Sequence, residues 1–174
     1  VLKSRSIYRL VILCGAVAAT SVAGNAVAAA ADALFFDAAL CKPPYSVASA
    51  TEIYDAAEKL AKPDMSSLGA AIYKIPQQIG RDGFESDEVF FANSAVGVLI
   101  KGERADDLAR AYGLKPETSD LMGASSKGYA LELPAEQQPP EGLAGPGKVS
   151  IVAREGSALQ GKTLLACEFI PDGF

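Results

Sequence analysis

Apolar positions along this chain keep three different rhythms, and the elements follow from them. Between Leu10 and Gly24 the apolar and small residues are uninterrupted by any charge. Further on, Ile53, Ala56, Ala57, Leu60 and Ala61 recur at i, i+3, i+4, i+7 and i+8, the spacing of one helix face. Ser49 and Glu52 stand at capping-box spacing ahead of that stripe, and Pro63 stops it. Helical spacing returns in Glu103 to Tyr112 through Ala105, Leu108, Ala109 and Tyr112, with Gly113 placed as the cap and Pro116 as the stop.

The remaining apolar segments are short or alternate with period two, which predicts strands. Ala70 to Ile75 is one, ending at Pro76. Glu88 to Ala92 and Ala95 to Lys101 are two strands about an Asn93-Ser94 turn, or a single bent strand. Gly80-Arg81-Asp82-Gly83 reads as a loop. Tyr129, Leu131 and Leu133 alternate within Lys127 to Leu133. Lys148 to Arg154 and Lys162 to Ile170 make a closing hairpin. Ala29 to Val47 is a connector with an apolar centre, Leu34-Phe35-Phe36, and a Pro43-Pro44 break. Pro134 to Gly147, poor in apolar residues and rich in Pro and Gly, is a long exposed loop. No repeat or linker divides the pattern. The expectation is one small α+β domain over residues 29–174, mainly an antiparallel sheet packed by two helices.

The uncharged run near the start belongs to a different category. Lys3, Arg5 and Arg9 precede it with no acidic residue among them, and Ala26-Val27-Ala28 closes it with small residues at the spacing a signal peptidase accepts. The run is about 15 residues, short of the roughly 20 that span a bilayer. Residues 1–28 are therefore expected to be a cleaved secretory signal, with no stable membrane anchor after processing and a periplasmic or secreted destination.

Processing changes the charge. The chain holds 16 Lys and Arg against 21 Asp and Glu, but three of the basic residues lie in the signal, which leaves 13 against 21. Such a field repels phosphate backbones, so nucleic acid is excluded as a partner. It also leaves two cysteines, Cys41 and Cys167, which in an oxidising compartment read most simply as a disulfide, with two buried thiols as the alternative.

Few catalytic groups remain. Histidine is absent, which removes Ser-His-Asp and Cys-His sites and the usual zinc sites. Gly156 to Thr163 matches the Walker A pattern letter for letter, yet only 11 residues follow Thr163, too few for the sheet and magnesium-binding Asp of a nucleotide fold. A hairpin turn is the expected structure there, with no cofactor and no metal. The acidic stretch Asp82, Glu85, Asp87 and Glu88 is the candidate site, and it lacks the alternating oxygens of a calcium loop. Its four carboxylates are expected to contact a protein partner. The functional expectation is an exported, non-catalytic binding protein, of inhibitor or immunity type, acting on a basic protein. A small hydrolase using paired carboxylates and a structural envelope protein are the alternatives.

Overall fold

The computed structural model describes residues 33–44, 46–66, 69–117, 125–138 and 147–171. The expected signal, residues 1–28, lies outside them, as does most of the expected loop after Pro134, of which residues 135–137 form a single 3-10 turn. Among the described residues no helix is long and apolar enough to cross a membrane.

The helix read from Ile53 to Ala61 is present as α2, Val47–Glu58, but its start differs. Ser46, not Ser49, is the N-cap: its hydroxyl accepts from the Ser49 N–H, and the Ser49 hydroxyl accepts in return from the Ser46 N–H. Ser at the fourth box position does the work usually given to Glu, so the pattern search settled one turn too late. The expected connector also holds a further helix, α1 (residues 33–39), which makes three α-helices among the described residues where two were expected. Seven residues are too few to set up a periodic signal. Tertiary burial of Phe35 and Phe36 holds α1 in place, together with an Asp37–Arg81 ion pair. The third helix, α3 (Ala105–Tyr112), ends on Gly113 in the left-handed region, as expected.

Eight strands form one antiparallel sheet in the order β1-β2-β3-β4-β8-β7-β6-β5. They are β1 (Pro63–Asp64), β2 (Ala71–Arg81), β3 (Phe84–Ala92), β4 (Ala95–Lys101), β5 (Lys115–Pro116), β6 (Ser125–Glu132), β7 (Gly147–Gly156) and β8 (Lys162–Pro171). Asn93-Ser94 turns the chain between two strands, and β7–β8 is the expected hairpin. Two boundaries move. Asp82-Gly83 is a tight two-residue turn, so β2 and β3 both reach it. Pro76 does not end β2, because the β2–β3 register shifts between Lys74 and Ile79, leaving Pro76 in a bulge where its missing N–H breaks no ladder bond.

The element order occurs twice: helix, two-residue strand, three long strands. The sequence carries no visible repeat, but α2 to β4 and α3 to β8 run in parallel series. The two series meet where β4 pairs antiparallel with β8, and α3 carries the chain from that centre to the far edge. Both edge strands are two residues long and contain a proline, which blunts them against further pairing.

Helices cover one face of the sheet. Their core includes Phe35, Phe36, Ile53, Leu108, Tyr73, Val98 and Leu165. Tyr54, Tyr73 and Phe91 pack edge to face with ring centres 5.4–5.7 Å apart. The opposite face holds a smaller cluster of Phe90, Leu99, Val152, Leu164 and Ala166. Cys41 and Cys167 are joined in a disulfide, both buried, tying the segment after α1 to the middle of β8. The bond closes a span of 126 residues. Replacing both cysteines with Ala is expected to lower stability by about 2–5 kcal/mol, read as a lower denaturant midpoint. An unchanged midpoint would mean that the packing of α1 holds the segment without the bond.

Candidate functional site

The β2–β3 hairpin carries the four expected acidic residues, and each has different neighbours there. Asp82 sits in the β2–β3 turn with φ 54° and accepts a hydrogen bond from the Tyr112 hydroxyl at 3.1 Å. Glu85 is exposed on β3. Asp87 lies 3.9 Å from the Lys101 ammonium, and Glu88 pairs with Lys162 at 2.5 Å. Lysines from β4 and β8 thus answer two of the four charges, and Asp82 and Glu85 are the more exposed pair of the four. Among the described residues no group of three or more His, Cys, Asp or Glu side chains is placed to hold a metal.

Residues of the Walker-like stretch have structural partners. Thr163 is buried, accepts from the Arg104 N–H at 2.7 Å, and donates to the Gly102 carbonyl. Glu155 accepts from the Ala105 N–H at 2.6 Å, so strands β7 and β8 cap the start of α3 in place of a local side chain. Lys162 is held by Glu88, beside a polar cleft of about 210 Å³ that Asp64, Ser66 and Gln160 also line. The turn between β7 and β8 is a 3-10 turn at Ser157–Leu159, not a phosphate loop running into a helix.

A charged cluster invisible to the sequence reading lies on the face of the sheet away from the helices. Arg154 on β7 is 1 % exposed. It makes two hydrogen bonds to Glu117, at 2.8 and 2.6 Å, and one to Glu168 on β8, at 2.5 Å. Gly128 on β6 leaves the space, since a Cβ there would stand 2.8 Å from the Glu117 carboxylate. Burial pushes the Glu168 carboxyl above its ordinary value, outweighing the pull of Arg154, and Glu117 adds to the rise. For Arg154 burial acts downward, but its hydrogen bonds and charges from the two glutamates leave it above its ordinary value. The guanidinium is shared between the two carboxylates and holds both in place.

A scan of protein-family models, of curated proteins and of solved structures finds no match to this chain.

A second opening lies elsewhere, between α2 and the sheet. It is a groove of about 460 Å³ walled by Val47, Ala50, Thr51 and Tyr54 of α2 on one side. Met65 and Gly69 to Ala71 form the other side, with Phe91 to Asn93 at one end. Among the described residues no charged side chain lines it. The sequence reading passed over it because its walls come from three separated segments. Val47 at the first turn of α2 and Met65 after β1 carry no period that distinguishes them from core residues.

Proposed function

We propose that this chain is an exported, non-catalytic binding protein that captures a basic protein partner. The observation that carries the reading is the surplus of carboxylates beyond residue 28, 21 against 13 basic side chains, in a chain without histidine. A disulfide supports export, because such bonds persist in oxidising compartments. The buried Glu117–Arg154–Glu168 arrangement favours binding over the carboxylate hydrolase, since the paired carboxyls are bound to each other's counter-ion.

At the β2–β3 end, the reading rests most on Asp82 and Glu85, the two exposed residues of the four. An acidic surface of this kind speeds encounter with a cationic partner, and salt screens it over about 8–10 Å. With a small basic protein such as a lysozyme as probe, association is expected to slow as salt rises while dissociation holds nearly constant. Asp82→Asn with Glu85→Gln should slow association about threefold at low salt. Thermal stability should stay unchanged, since Asn tolerates the left-handed backbone of the turn and Glu85 is exposed. Equal association rates for both proteins at every salt concentration would remove these two residues from the site. Absence of any binding across a panel of basic proteins would remove the reading.

A further inference from the structure

The exposed large apolar side chains among the described residues are Val47 and Met65, each 65 % exposed, and both line the groove beside α2. Isolated exposed apolar residues need no explanation, but two of them facing each other across an open apolar cleft do. The floor is preformed. Tyr54 is braced against Tyr73 and Phe91, and the Tyr73 hydroxyl is turned to Glu58. Met65 adds an unbranched, polarisable side chain that can follow the shape of what enters. At about 460 Å³ the groove has the size of a site for one large side chain and its neighbouring backbone.

Charge decides among occupants. Within α2 the ionisable residues are Glu52, Asp55 and Glu58, with no basic residue among its 12 positions. Thr51, Asp55 and Glu58 fall at i, i+4 and i+7, so two carboxylates continue the stripe that begins with Val47, Thr51 and Tyr54. Lys59 and Lys62 follow the helix, where the chain turns into β1. The groove walls among the described residues are thus uncharged, and the charged side chains of the helix that forms one wall are all acidic.

We propose that this groove docks a peptide segment of the partner, seating one large apolar side chain between Val47, Tyr54 and Met65 and setting a Lys or Arg beside Asp55 and Glu58. The proposal rests on the basic-partner reading and moves its main contact from the β2–β3 hairpin to α2. Apolar burial supplies the affinity, and the flanking charges choose which apolar segment enters.

The test uses the full chain with its disulfide intact and three labelled synthetic peptides. One has a Phe flanked on both sides by lysines, the second has Ala for Phe, and the third has Glu for each Lys. Replacing Phe with Ala is expected to weaken binding at least tenfold, as is Val47→Ser with Met65→Ser in the protein. Neither protein change should shift the melting temperature, because both side chains are exposed. Asp55→Asn with Glu58→Gln should weaken the lysine-flanked peptide about threefold to fivefold and flatten its salt dependence. If Val47→Ser with Met65→Ser leaves peptide affinity intact, the groove proposal falls, while salt-dependent binding of basic proteins would keep the broader reading alive. If that variant abolishes binding but the Glu-flanked peptide binds as well as the Lys-flanked one, the basic-partner reading fails and the occupant proposed here fails with it. A wild-type dimer in sedimentation that Val47→Ser with Met65→Ser dissociates would assign the groove to a second copy of this chain and overturn the proposal.

Discussion

Arg154→Met should cost about 3–5 kcal/mol at neutral pH, the loss that follows when one member of a buried charge cluster is removed and the others stay. Glu117 and Glu168 would then face each other with no cation between them, with side chains only 7 % and 13 % exposed. The loss should shrink in acid. In the native protein the Glu168 carboxyl already has a raised pKa, so it contributes stability below its ordinary value near 4.5 that is lost as pH rises through the folded value. Removing Arg154 takes away the pull that limits this rise, so the pH-dependent loss becomes steeper. Denaturant titrations of wild type and variant from about pH 4 to pH 8 read both effects. Adding Glu117→Gln and Glu168→Gln to the variant should recover most of the stability, because neutral amides need no counter-ion. A single variant within 1 kcal/mol of wild type at neutral pH would show that solvent reaches the cluster and compensates it.

Gly97→Ala is expected to be as damaging by a different route. Gly97 on β4 pairs with Ala166 on β8, the junction at which the two series of strands meet. An added Cβ would run into the Leu165 carbonyl and stand 2.7 Å from the Ala166 Cα, backbone atoms that cannot rotate aside. Overpacking of this kind costs about 1–3 kcal/mol where side chains can adjust, and more where the ladder itself must open. We expect a loss of about 3 kcal/mol or more, seen as a lower denaturant midpoint or failure to accumulate folded protein. Native-like stability in Gly97→Ala would mean that β4 and β8 can separate at this pair at little cost, and that the junction is looser than its register implies.

The contrast between these two residues and the expected acidic site shows where one-dimensional reasoning stops. Asp82, Glu85, Asp87 and Glu88 are conspicuous because they are close in sequence, and closeness in sequence does not tell which cations the fold brings to them. Asp87 meets Lys101 and Glu88 meets Lys162, register partners on β4 and β8 that the sequence does not place beside them. The reverse holds for Arg154, Glu117 and Glu168. They are 37 and 14 residues apart, and no periodicity marks them. Their contact depends on β6, β7 and β8 lying side by side.

By itself the sequence determined the elements whose signals are local. The apolar stripes of α2 and α3 could be read at 3.6-residue spacing, the Gly113 stop from its backbone freedom, and the Asn93-Ser94 turn from its residue chemistry. The same local arithmetic excluded histidine chemistry and paired the two cysteines that remain beyond residue 28, and the structure joins them. Tertiary structure alone decided the rest, because the forces concerned act between distant residues. Burial of Phe35 and Phe36 makes a helix of a segment too short to show a period. A bulge opposite Asp87 lets β2 run on through Pro76. Glu155 and Thr163 cap a helix some 50 residues upstream of them. The groove between Val47 and Met65 exists only because α2 lies across the start of β2, a packing choice set by the buried faces of both elements and by no motif in either.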